Sequence, residues 1–264
     1  MDSKDNTEKK IEKLNLIKSK NKFINIKSDY ILKKLFANMQ KRITLKIIKC
    51  NINIQKRLNI NINNYKDFSE KFSSIELEII PIQNEFGSFI NIEKEEDKKY
   101  YHIYFNGNKK KEVKSTSLEK NHKVSKINII IDYQITSFKN LFILCRCIES
   151  INFKKFYRNN ITNMNSMFAE CTSLKEINLD NLKTDNVIDM NCMFSGCSSL
   201  KKLNLTNLNT NSVTDMSSMF CGCSSLEELN LTNFNTNNVE NMTCMFAGCS
   251  SLKKLNLKIL ILIM

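Results

Sequence analysis

A chain of 264 residues, 42% of them hydrophobic, can bury a sizeable core, and it has no long charged or low-complexity block of the kind that keeps a chain unfolded. Its net charge of +13 is uneven: residues 135–264 carry 12 Lys and Arg against 10 Asp and Glu, so the first 134 hold 28 against 17. No nucleic-acid motif accompanies the basic half, no apolar run is long enough to span a bilayer, and the Lys-rich start lacks the apolar stretch of a secretory signal. The expectation is a cytoplasmic protein without a nucleic-acid partner or membrane span; the alternative is the cell surface, reached by an unrecognised route.

Residues 1–27 read as a flexible basic tail. Residues 28–74 read as two or three short helices: Ser28 is placed to cap one carrying Ile31, Leu32, Leu35, Phe36 and Met39, and Leu45, Ile48, Ile52 and Leu58 continue a helical spacing. The run Tyr30-Ile-Leu-Lys-Lys-Leu-Phe36 and the Leu45 to Leu58 spacing weakly resemble an F-box, which implies docking to an adaptor of a ubiquitin ligase. The plainer account is a helical cap.

From Ile75 the pattern changes to strands: Ile75 to Ile82, Phe89 to Ile92, Tyr100 to Phe105 and Lys126 to Tyr133. Asn106-Gly107 is a strong hairpin signal, because both turn positions take positive φ, and Lys109 to Ser117 would be the returning arm. Residues 75–134 are thus expected to be a β-rich cap over the first turn of the C-terminal half. His102 and His122 are the chain's two histidines, too isolated for a metal or catalytic set.

Residues 135–264 are one 26-residue pattern written five times. Val187, Val213 and Val239 align, and with them Met190, Met216 and Met242; Phe194, Phe220 and Phe246; Cys197, Cys223 and Cys249; Leu200, Leu226 and Leu252. Ile161, Met164, Phe168, Cys171 and Leu174 precede them in phase, and Ile135, Phe138, Phe142, Cys145 and Ile148 form a degenerate first copy. A fixed period of this length, with apolar columns that no copy could bury alone, implies stacked units sharing a core. In the copy Val213–Asn238, the spacing of Val213, Met216 and Phe220 predicts a short helix ended by Gly222. Leu229 and Leu231 should then point inward from a strand, with Glu228 and Asn230 outward.

The run Val213-Thr-Asp-Met-Ser-Ser-Met-Phe, followed by Gly-Cys-Ser-Ser-Leu-x-x-Leu-Asn-Leu-Thr-Asn-Phe-Asn-Thr, resembles the BspA-like leucine-rich-repeat family. The resemblance is strong over residues 161–257. It implies an α/β leucine-rich-repeat solenoid, with a parallel β-sheet on one side and short helices on the other. It also implies protein binding, in this family often adhesion at the cell surface. The expected function is a non-enzymatic protein-interaction module; the alternatives are a ubiquitin-ligase substrate receptor and a BspA-like adhesin.

Stacking predicts surface columns. Glu176, Lys202, Glu228 and Lys254 alternate in sign, so each should lie one strand spacing from an opposite charge. Beside them Asn178, Asn204, Asn230 and Asn256 could link their amides along the sheet. With Asp180, Thr206 and Thr232 they make the candidate protein-binding face. Five of the ten cysteines form one repeat column and are expected to be buried and reduced; Cys221-Gly-Cys223 and Cys145-Arg-Cys147 lack the spacing and partners of a zinc or redox site. The methionine columns read as core. No cofactor, metal or catalytic set is expected. After Leu257 the pattern breaks into Lys-Ile-Leu-Ile-Leu-Ile-Met, which would either cap the last turn or form an edge for homodimerisation.

Overall fold

The computed structural model describes residues 26–38, 52–60, 63, 66, 70 and 72–257. Most of the expected basic tail, the Met39, Leu45 and Ile48 positions of the helical segment, and the Ile259–Met264 end lie outside those residues. The chain divides into two units, Met1–Phe72 and Ser73–Met264.

In the first unit, α1 (Asp29–Asn38) and α2 (Ile52–Leu58) are the described helices of more than one turn. Ser28 caps α1: its Oγ accepts from the Ile31 N–H at 3.3 Å and its carbonyl from Leu32 at 3.0 Å. Of the apolar positions assigned to this helix, Leu32 and Phe36 are buried, whereas Ile31 and Leu35 are exposed. Arg57 on α2 ties the helices together, donating to Asp29 at 2.6 Å and to the Ile26 carbonyl at 2.5 Å.

The second unit is mixed α/β with several sheets and little helix. Its strands begin with β1 (Ile75–Pro81), β2 (Gly87–Ser88), β3 (Tyr101–Phe105), β4 (Ser117–Leu118) and β5 (Ile127–Ile131). The repeats then contribute one strand each: β6 (Ile148–Lys155), β7 (Glu176–Asn178), β8 (Lys202–Leu203), β9 (Glu228–Leu231) and β10 (Lys254–Leu257). A five-stranded sheet runs β3-β5-β1-β6-β7, a second β10-β9-β8, and β2 pairs with β4. β1 lies antiparallel to β6, with Leu77 opposite Phe153 and Ile79 opposite Ile151, while the other edge of β6 pairs parallel with β7. The strand of the first repeat therefore has both edges occupied.

Several sequence expectations need correction here. Asn106 and Gly107 do form a turn, with φ of 52° and 73°. The strand alongside β3 is nevertheless β5, and Lys109–Ser117 contributes the single bridge Ile103 to Val113. The physical reason is burial. Ile127, Ile129 and Ile131 of β5 bring three fully buried side chains, whereas the Lys109–Lys111 run is exposed and has nothing to bury. The expected strand at Phe89–Ile92 is displaced to Gly87–Ser88, with Phe89 and Ile90 buried beyond its end.

The repeats stack in phase. Rings of Phe142, Phe168, Phe194, Phe220 and Phe246 lie one above another, with successive centroids 5.5, 5.4, 5.9 and 5.8 Å apart and planes within 11° of parallel. Parallel bridges join Ser137, Asn163, Asp189, Asp215 and Asn241 in one continuous column. The strand side is less continuous, because β7 and β8 belong to different sheets.

The short helix expected on the opposite side of each repeat does not form. In an α-helix each N–H bonds four residues back; here alternate N–H groups point along the stack instead. Those of Met216, Ser218, Phe220 and Gly222 donate to carbonyls of Asn241, Thr243, Met245 and Ala247 in the next turn, at 2.7–3.0 Å. The intervening Met219, Cys221 and Cys223 close tight turns onto residues three back. Two columns take positive φ to permit this: Asn140, Ser166, Cys192, Ser218 and Cys244 in one, and Leu144, Glu170, Gly196, Gly222 and Gly248 in the other. The helical spacing of Val213, Met216 and Phe220 was correctly apolar. All three are buried, but a chain of turns places them there.

Cys145, Cys171, Cys197 and Cys223 are buried and unpaired, Cys249 partly so. Each thiol after the first points at the carbonyl of the phenylalanine 29 residues back, as Cys197 does to Phe168 at 3.1 Å. Burial pushes the Cys171 and Cys223 thiols up to about 12. Arg158 is the exception in the core. It occupies the column filled by buried Thr184, Thr210 and Thr236 in later turns, and its guanidinium reaches the Ile135 carbonyl at 2.9 Å with Nε and Nη2 unpartnered.

Phe194→Ala should cost about 3–5 kcal/mol, since it opens a gap between two stacked rings, and Gly222→Ala about 1–2 kcal/mol from its φ of +72°; denaturant unfolding measures both. At pH 8 a thiol reagent should modify exposed Cys244 while Cys171, Cys197 and Cys223 react only on unfolding. Because their folded thiols titrate above the ordinary value of 9, the stability they confer is complete below pH 9. It should decline as pH rises toward 12, which denaturant midpoints across that range would read.

Candidate binding face

The eleven residues singled out from the sequence are all exposed: Glu176, Asn178, Asp180, Lys202, Asn204, Thr206, Glu228, Asn230, Thr232, Lys254 and Asn256. Period-two alternation sets this. In β9, Leu229 and Leu231 are buried and Glu228 and Asn230 face out. Seven of the eleven line one open groove of about 750 Å³ across β7 to β10: Glu176, Lys202, Asn204, Thr206, Glu228, Asn230 and Asn256. Asn178, Asp180, Thr232 and Lys254 lie outside it. Lys175, Ser199 and Lys201 also line the groove and were missed. For the two lysines the signal was a second charged column at the same period, Glu149, Lys175, Lys201, Glu227 and Lys253.

That neighbouring column carries the ion pairs. Lys175 meets Glu149 at 2.9 Å and Lys253 meets Glu227 at 3.8 Å. Glu228 does stand opposite Lys202 and Lys254 in the strand register, yet among the described residues no ion pair within 4.0 Å joins members of the predicted column. Exposed charges at strand spacing gain too little to hold long side chains together, so Glu176, Lys202, Glu228 and Lys254 remain available to solvent.

The asparagine column also behaves differently from the expected ladder. Asn178 Oδ1 accepts the Asp180 N–H at 2.9 Å. Asn204 Oδ1 accepts both the N–H and the hydroxyl of Thr206, and Asn230 does the same with Thr232, at 3.1 and 2.8 Å in each case. Each oxygen thus locks the turn that leaves its own strand, an Asx-type arrangement. The consequence is that the amide oxygens are spent inside the fold, while the Nδ2 donors of these exposed side chains have no partner among the described residues. The cross-turn links fall instead to a column three residues later, where Asn181, Asn207 and Asn233 donate to backbone carbonyls of the preceding turn.

Among the described residues, no cluster of His, Cys, Asp and Glu could hold a metal ion, and no helix is long and apolar enough to cross a membrane. His102 lies between Glu112 and Asp132, 3.4 Å from each.

Residues 136–258 match the family described as Mycoplasma protein of unknown function, DUF285. The matched segment begins within the first turn and ends one residue beyond β10, which is consistent with a BspA-like repeat family. No curated protein and no solved structure matches the chain.

Asn204→Ala removes the acceptor for two hydrogen bonds and should lower stability by about 1 kcal/mol, whereas Asn204→Asp keeps that acceptor and should leave stability nearly unchanged; denaturant midpoints of the two variants provide the comparison.

Proposed function

We propose that residues 135–257 form a leucine-rich-repeat solenoid of the BspA-like kind, acting as a non-enzymatic module that binds a partner protein through the polar strand face. The observation that carries this reading is the row of exposed asparagines whose oxygens are held by their own turns. Asn178, Asn204 and Asn230 present Nδ2 donors whose own oxygens are fixed by the turn, so the row is oriented before any partner arrives. Pre-ordered polar groups lower the conformational cost of binding. Charges of both signs flank the row, and Glu176, Lys202, Glu228 and Lys254, which make no ion pair among the described residues, can engage a protein surface. The groove is open, unlike the enclosed pockets that retain small molecules.

The test separates the donor row from the fold. A variant with Asn178, Asn204 and Asn230 all changed to Asp keeps the three turn acceptors and loses the three donors. It should unfold at nearly the wild-type midpoint yet fail to retain the proteins that immobilised wild type captures from its own cell extract. A control altered at exposed Lys183, away from the groove, should capture the same proteins as wild type. Equal capture by all three would overturn the assignment of this face.

A further inference from the structure

Asn106-Gly107 is the one Asn-Gly step in the sequence, and the turn it makes after β3 is fastened by the asparagine side chain. Asn106 Oδ1 accepts the Ser125 N–H at 2.8 Å, the Ser125 hydroxyl at 3.2 Å and the Lys126 N–H at 3.3 Å. Its Nδ2 donates to the Lys123 carbonyl at 2.9 Å. The backbone adds one bond, from the Asn106 N–H to the Lys126 carbonyl at 2.8 Å, directly beyond the Phe105 and Ile127 pair that ends the β3–β5 ladder. A single side chain thus closes that end of the ladder and holds residues 123–126, next to His122, whose ring packs edge-on against Phe105.

Asparagine before glycine also cyclises readily, because glycine has no side chain to hinder attack by its own nitrogen. Burial does not protect this step. Nothing stands within 4 Å of where a Gly107 Cβ would lie, and among the described residues the Gly107 N–H has no acceptor. Conformation guards it instead: ring closure needs the Asn106 side chain turned back over Gly107 N, and its four hydrogen bonds hold it toward residues 123–126. We infer that Asn106 is a modification site gated by opening of this turn, and that the modified residue cannot refasten it. Once the side chain is released, Gly107 N bonds to Asn106 Cγ and the Cγ–Nδ2 bond breaks. Ammonia leaves with the proton that Gly107 N gives up, and a succinimide remains. Water then opens the ring at one carbonyl or the other, giving aspartate or isoaspartate. Isoaspartate inserts a methylene into the main chain, so the two positive-φ residues no longer fit the turn. Aspartate sets a carboxylate oxygen against the Lys123 carbonyl where a donor stood. Either product loosens the end of the ladder irreversibly.

The test incubates the full chain in mildly alkaline buffer, folded or unfolded in guanidinium. Peptide mapping follows Asn106 for the mass gained when NH is exchanged for O. Conversion should be at least about tenfold slower in the folded chain, since it requires local opening. The unfolded sample, once converted and returned to native buffer, gives the second readout. Its Ser125 and Lys126 amides should exchange at least about tenfold faster than in chain refolded without incubation. Asn106→Gln, whose side chain would have to close a larger ring, controls for the other asparagines: the same incubation should leave its exchange at Ser125 and Lys126 unchanged. Equal conversion rates in the folded and unfolded chain overturn the gating. Conversion that spares Asn106 in the unfolded chain overturns the site. Exchange at Ser125 and Lys126 that ignores the modification, or that rises equally in the Asn106→Gln control, overturns the loss of the fastening.

Discussion

The structure of residues 135–257 rests on one interaction: four backbone N–H groups per turn that donate along the stack to the turn above. Every other regularity follows from satisfying that rail. Because the donors sit at alternate residues, the intervening backbone must close tight turns, and two positions per repeat must adopt positive φ. Glycine takes one of these columns in the last three repeats, where the strain is otherwise of order 1–2 kcal/mol per residue. The rail runs unbroken through all five turns, whereas the strand ladder breaks between β7 and β8. The turn side therefore carries the continuity that the short strands, two to four residues in β7 to β10, do not supply.

A stack of this kind sends polar side chains to backbone duty. Buried Thr184 and Thr210 each donate to and accept from the backbone of the next turn, and Asn181, Asn207 and Asn233 bond carbonyls of the preceding one. Composition rich in Asn and Thr is thus part of the architecture and not only surface decoration. The asparagines of the strand face share in this through their oxygens, which accept from the turn that follows each strand.

The first turn of the stack is covered by the segment that precedes it. At the first turn, β1 pairs antiparallel with β6, and Asn91 donates to the Leu141 carbonyl at 2.7 Å, so both the strand edge and part of the turn rail are covered by residues 75–134. Arg158, in place of the later threonines, lies buried here, and loss of hydration pulls its guanidinium down to about 10.

The sequence by itself determined the period, the phase and the membership of the core. Phenylalanines 26 residues apart do lie face to face, the cysteine column is buried, and the strand alternation placed all eleven face residues outside. These are matters of local hydrophobic pattern, and a pattern repeated five times is read with little ambiguity. Only the tertiary structure decided how the backbone and polar groups are partnered. The spacing of Val213, Met216 and Phe220 suits a helix or a run of turns equally; what selected turns was the carbonyl row of the neighbouring repeat, which is not written in any single copy. Likewise the choice of β5 over Lys109–Ser117 beside β3, of Thr206 over a neighbouring asparagine as the partner of Asn204, and of Lys175 with Glu149 over the alternating column depended on which group a nonlocal contact brought within reach. Apolar burial is set by which residues a segment contains, and hydrogen bonds and ion pairs by where other segments come to rest.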